Sequence, residues 1–233
     1  MDVATATRFA RQLALPEVGP SGQERLARAR ALIVGDGVAA EIVARYLAAA
    51  GVGALRLVGG ATEAMGSWTP ALRGSNPDVV LERQAKPTDG AAWMSALDGV
   101  AIVVRADFDD DALMPATIRR GVPLVALRGD ETAADVVSFR KHGPCPHAPL
   151  DVPVVAAVPV PEGAASVVAG TLAAAEALLV LMGGTDGEPG AARAARAHHL
   201  RVPLDGGDAT AQALPWTPEC FACGGSGNEM SFS

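Results

Sequence analysis

The chain has 233 residues, a formal net charge of −7, 49% hydrophobic residues and only 4% aromatic ones. That length can bury one α/β core built from Val, Leu, Ile and Ala, and the acidic balance argues against nucleic acid or an anionic membrane surface as the main partner. The N-terminus has no charged region followed by an apolar stretch and a cleavage site, which predicts a cytoplasmic protein, and an odd set of three cysteines does not suggest a disulfide framework.

After an N-terminal arm and helix over residues 1–30, the run Ala31 to Val34 reads as a strand buried on both faces of a parallel sheet. Gly35 and Gly37 punctuate its join to a helix over Glu41 to Ala50, in which Ile42, Tyr46 and Ala49 or Ala50 fall at helical spacing. Such a turn lets backbone approach phosphate at a helix N-terminus, so Gly35 and Gly37 are the candidate nucleotide-binding residues. Ala40 stands where a third glycine would, and Asp36 and Glu41 set two carboxylates around the phosphate position. A lone Gly-x-Gly is a weak motif, and the competing reading is a turn kept for the fold alone.

Further apolar runs at Ala54 to Val58, Val79 to Leu81, Val100 to Val104 and Leu124 to Leu127 alternate with helical or turn-rich stretches, the pattern of parallel strands with crossovers. Asp109 to Arg120 predicts a helix with acidic residues in its first turn, basic ones in its last, Pro115 near its start and Gly121 as its stop. Val136 to Arg140 is a further strand and residues 141–162 a Pro-rich crossover loop. Gly163 to Gly184 reaches membrane-spanning length, yet its Ala and Gly content and the interior Glu176 mark Ala165 to Met182 as a core or interface helix. His199 to Leu204 and Thr210 to Trp216 predict an antiparallel pair, in which His198 and His199 point to opposite faces. Cys220-x-x-Cys223, between Pro218 and Gly224, has the tight spacing that lets two thiolates meet one zinc, a knuckle over residues 218–224. The expected architecture is one α/β domain over residues 1–224, with a Rossmann-like, mostly parallel sheet and an antiparallel C-terminal extension; residues 225–233 form a disordered tail.

Several segments, in order and spacing, resemble the ThiF/MoeB/HesA family of bacterial ubiquitin-activating-enzyme-like adenylyltransferases. They are Arg8-Phe-Ala-Arg-Gln12, Leu15-Pro-Glu-Val-Gly19, Gly22-Gln23, Ala31 to Gly37, Tyr46 to Gly53, Leu55 to Val58, Asn76-Pro77, Gly143-Pro-Cys145 and Cys220-Phe-Ala-Cys223-Gly. Family members adenylate the C-terminal glycine of a small ubiquitin-like or sulfur-carrier protein with MgATP. The resemblance implies that Cys145 and His147 complete a structural zinc site with Cys220 and Cys223, His142 competing as the fourth ligand. It implies that Arg8 and Arg11 belong to an arm whose arginine reaches the partner subunit's nucleotide, and that Asp107 or Asp109, in an acidic run out of the family's register, holds magnesium; the competing reading, which the residue types favour, is that the run caps the following helix.

The departures point the other way. Where the family has a ribose-binding carboxylate the chain reads Val58-Gly59-Gly60-Ala61, with no acid before Glu63, and Arg73 is the sole cation between Gly60 and Asn76. The same lack of an acid argues against dinucleotide binding. The resulting expectation is an adenylation-deficient homodimer, paired through the Ser166 to Met182 helix, that recognises a carrier-protein or peptide tail. It carries zinc, binds ATP and magnesium weakly or not at all, and forms no covalent carrier intermediate, because zinc uses every cysteine. The alternative is an active adenylyltransferase using Arg8, Arg11, Asp107 and Asp109.

Overall fold

The computed structural model describes residues 3–59, 62–106, 112–129, 133–139, 163–183, 198–204 and 206–214, with side chains left aside for 62–65. The N-terminal arm forms α1 (Val3–Arg8), α2 (Ala10–Leu13) and α3 (Gly19–Arg28). There follow β1 (Arg30–Val34), α4 (Val38–Ala50), β2 (Ala54–Gly59), α5 (Thr62–Ser75), β3 (Val80–Ala85), α6 (Gly90–Ala96), β4 (Ile102–Arg105), α7 (Leu113–Arg120) and β5 (Leu124–Gly129). The chain then forms β6 (Ala133–Phe139), α8 (Ala164–Met182), β7 (His198–Pro203) and β8 (Thr210–Ala213).

The eight described strands share one sheet in the order β3-β2-β1-β4-β5-β6-β7-β8. The first five in that order are parallel and the last three antiparallel, as the alternation of the sequence predicts. Ala31 to Val34 are fully buried because helices cover both faces: α3, α4, α5 and α8 pack one side of the sheet, and α6 and α7 the other. The carboxyl ends of the parallel strands form one edge, the usual ligand edge of an open α/β sheet.

Backbone-to-backbone contact decides the lead-in to β2. Gly51 ends α4 in the left-handed region at φ 95°, and a Cβ on Gly53 would sit 1.9 Å from the Ala27 carbonyl oxygen. Gln23, nearly fully buried, donates to the Ala50 carbonyl at 3.0 Å and so fixes the end of α4 against α3.

Two sequence expectations change, the buried face of α4 and the strand limits, and two helical segments gain detail. The buried stripe of α4 is Ala39, Ala40, Val43, Ala44, Leu47 and Ala48, while Tyr46 is 48% exposed; small residues face the sheet and α8, and the bulky ring is turned outward. Residues 62–75 form α5 despite the interior Pro70, anchored by the buried Trp68 and Leu72. The described part of the helix expected from Asp109 begins at Leu113, which puts Pro115 in the first turn, where its missing N–H has no helical partner to lose. Strand limits also move by a few residues, β3 reaching Ala85 and β4 starting at Ile102.

Candidate functional site

The candidate site is the turn from β1 into α4 at the carboxyl edge. Gly35 has φ 145°, a conformation that L side chains rarely adopt, and its N–H donates to the Val58 carbonyl at 2.8 Å, locking the turn to the end of β2. Gly37 is the N-cap of α4 and brings no side-chain oxygen of its own to the helix N-terminus. Ala40 is fully buried in the core, which makes its methyl a matter of helix packing rather than of phosphate approach. Glu41 in the first turn is bonded to Arg45 one turn on, at 2.9 Å to its Nε, and this pairing offsets part of its charge at the turn. Asp36, half-buried, sits in the turn itself.

The flanking residues are distributed unevenly. Gly59, the last residue of β2, pairs in register with Ala85 and brings no carboxylate to the ribose position. Arg73 lies in the last turn of α5, about 16 Å along the helix from Thr62 by the usual rise per residue, so it is at the opposite edge of the sheet from Gly35. A cation not assigned from sequence, Lys86, follows β3 at the carboxyl edge. Arg8 bonds Asp78 at 2.9 Å and Asn76 at 3.2 Å and lies over the Phe9 ring, which brings two sequence motifs together at the amino edge, away from its own chain's turn. Arg11 is exposed on α2. Asp107, Asp109, Cys145, His147, His142, Cys220 and Cys223 lie outside the described residues, and among the described residues no group of three or more His, Cys, Asp or Glu could hold a metal ion.

Two polar clusters were not assigned from sequence, and they flank β7 from opposite faces as the tandem histidines require. On the α8 side, Glu176, buried within the apolar helix, accepts from Ser138 at 3.2 Å and lies 2.7 Å from His198 Nε2. On the other face, Asp135 of β6 lies 2.7 Å from His199 Nε2 and is bonded by Arg201 Nη1 at 2.9 and 3.1 Å. A carboxylate amid the apolar run of β6 was the available signal for the second cluster. Ala164–Met182 is long and apolar enough to cross a membrane, but here it packs on β4, β5, β6 and α4 and holds a bonded carboxylate.

A family model described as ThiF family matches residues 9–60, which run from the arm through the glycine turn to β2. The adenylyltransferase and sulfurtransferase MOCS3 of Bos taurus is 42% identical over 47% of this chain, and the sulfur carrier protein adenylyltransferase of Thermus thermophilus is 53% identical over 22% of it. These alignments take in only 23% and 19% of those relatives' own length. The SAMP-activating enzyme E1 of Haloferax volcanii is 28% identical over 97% of this chain and 92% of its own. Escherichia coli MccB, solved with MccA-N7isoASN, superposes with a TM-score of 0.73 at 16% identity over 93% of this chain and 75% of its own. PaaA gives 0.71 at 15% identity over 92% and 84%, and both likenesses speak for the fold alone. The glycine turn, the strand order and the matched arm agree with this likeness: the chain is similar to ThiF-family proteins, through the family model over residues 9–60 and at 28% identity along nearly its whole length.

Proposed function

We propose that this chain recognises the tail of a ubiquitin-like or sulfur-carrier protein, or of a peptide, without adenylating it. One observation carries the reading: β2 ends at Gly59 beside the Gly35 turn, so the last described residue of the strand brings no carboxylate side chain to the place where a nucleotide ribose needs one. Support comes from Arg73, which the fold sets at the wrong edge to offset phosphate charge, and from the acidic Asp36 in the turn. The kind of partner is supported by relatives that are sulfur-carrier or SAMP activators and by a structural neighbour solved with MccA. The working form in this reading is a cytoplasmic homodimer with one structural zinc on Cys145, Cys220, Cys223 and either His147 or His142.

The alternative, an active adenylyltransferase, draws on the names of the same relatives and on the intact glycine turn with its α4 N-terminus. Charge-assisted contacts to phosphate contribute roughly 1.5 to 3 kcal/mol each, so losing two or three weakens ATP binding by orders of magnitude. Isothermal titration with MgATP is expected to show no binding below millimolar concentration. Pyrophosphate exchange with a small Gly-Gly-terminated carrier is expected to stay at background. Micromolar affinity or carrier-dependent exchange would establish the active enzyme instead.

A further inference from the structure

On the sheet face opposite α8, the last strands carry charge in register. Arg128 of β5 pairs directly with Asp135 of β6, and Asp135 pairs with Arg201 of β7, so the three side chains share one face in one row. One row farther from the carboxyl edge lie Arg105 of β4, buried, and His199 of β7, which is held by Asp135. This face therefore carries three arginines and a histidine in two neighbouring rows, with Arg201 and His199 bonded to the buried Asp135, in a chain of net charge −7.

Arg201 is the member built to take something more. Its Nη1 makes both bonds to Asp135, which fixes the guanidinium, and its Nε and Nη2 make no hydrogen bond to any described residue on a side chain 39% exposed. The Nε–Nη2 edge is the fork that accepts a carboxylate through two parallel bonds, and a guanidinium already held by a second carboxylate loses little freedom on using it. Arg105 and Arg128 have contacts of their own, which leaves Arg201 as the member of the row that offers the fork.

Position on the sheet says which carboxylate fits. From β7 to β1 there are four strand spacings, about 19 Å at the usual separation, and an extended chain crosses that distance in about six residues. A tail whose terminus reaches the Gly35 turn and which runs across the strand ends toward β7 sets a residue about six positions before its end over Arg201. We propose that Arg201, held by Asp135, is a docking point for an acidic side chain about six residues before the C-terminus of the recognised tail. This rests on the tail-recognition reading above and names a feature of the tail.

The test is fluorescence anisotropy with labelled ten-residue peptides, neutral except for one Glu six residues before a terminal Gly-Gly end, compared with the Gln version, a version with Glu moved to the third position, and a C-terminal amide. The Glu peptide is expected to bind at least tenfold tighter than the Gln and moved versions, and the amide to keep that preference. Arg201→Gln, which leaves Asp135 bonded to His199, is expected to erase the preference at unchanged circular dichroism, and Arg201→Glu to favour a Lys peptide. Equal binding of the Glu and Gln peptides overturns the subsite and leaves tail recognition standing. Loss of the preference on amidation assigns Arg201 to the terminal carboxylate and overturns it too. Absence of binding by every peptide overturns both.

Discussion

Gly53 and Gly74 are the same residue under opposite constraints. A Cβ at Gly53 meets the Ala27 carbonyl oxygen at 1.9 Å, which a rotamer change cannot relieve, whereas at Gly74 nothing lies within 4 Å. Gly53→Ala must push α3 from β2 and is expected to cost about 3 kcal/mol or more, while Gly74→Ala, in the last turn of α5, is expected to be neutral or to stabilise by up to about 1 kcal/mol. Urea unfolding of the two variants checks both; equal midpoints would show that the α3–β2 contact relaxes freely. The cysteines make a different residue-scale prediction, since metal binding couples to folding. Purified protein is expected to carry one zinc per chain by elemental analysis, and Cys220→Ala to lose both the metal and a large part of the thermal stability. Metal-free protein whose melting point does not move with that substitution would remove zinc from the reading.

Among the elements, α8 shows how an apolar helix keeps a carboxylate in the core. Glu176 receives Ser138 and His198, so truncating it leaves buried polar groups without their acceptor, a loss typically of about 3 to 5 kcal/mol, while Gln keeps an acceptor oxygen in place. Glu176→Ala is therefore expected to unfold at markedly lower denaturant than Glu176→Gln, and the reverse order would mean the pair is merely tolerated. The existence of α8 and of the strands was legible because continuous apolar runs or strict alternation leave few alternatives. The facing of α4 was not, because in an alanine-rich helix the largest apolar residue, Tyr46, dominates the periodicity while the methyl groups do the packing. Helix α5 was hidden by Gly66, Pro70 and Gly74, which are turn signals locally; Trp68 and Leu72 hold it by tertiary burial. The place of the glycine turn could be read, since Gly35 and Gly37 fall between a continuous apolar run and a helical pattern, but not its use, because Gly-x-Gly alone is a weak motif. The Asp135–His199–Arg201 cluster could not, because its members are 64 and 66 residues apart and only strand pairing brings them together.

At the scale of the molecule, the outward side of α8 bears on assembly. Val167 is 44% exposed, Val168, Thr171, Leu172, Leu178, Leu179 and Met182 are half-buried, and Ala164 and Ala175 keep the surface low, so the stripe is apolar along the whole helix. Gly170 brings α8 against α4, where a Cβ would meet the Ala39 carbonyl oxygen at 2.9 Å, and the exposed Tyr46 extends the apolar surface onto α4. Small and apolar residues in one stripe suit close approach of a second copy, and a two-fold contact of this kind is self-complementary. Sedimentation at about 10 µM is expected to give twice the chain mass of 23.6 kDa, and Val167→Lys, a change at an exposed position, to shift the species toward monomer without altering the circular dichroism. The variant matters because it separates assembly from folding: if wild type and Val167→Lys both sediment as monomers with equal stability, the stripe serves no interface, and a partner-borne arginine at the Gly35 turn would have no route to it.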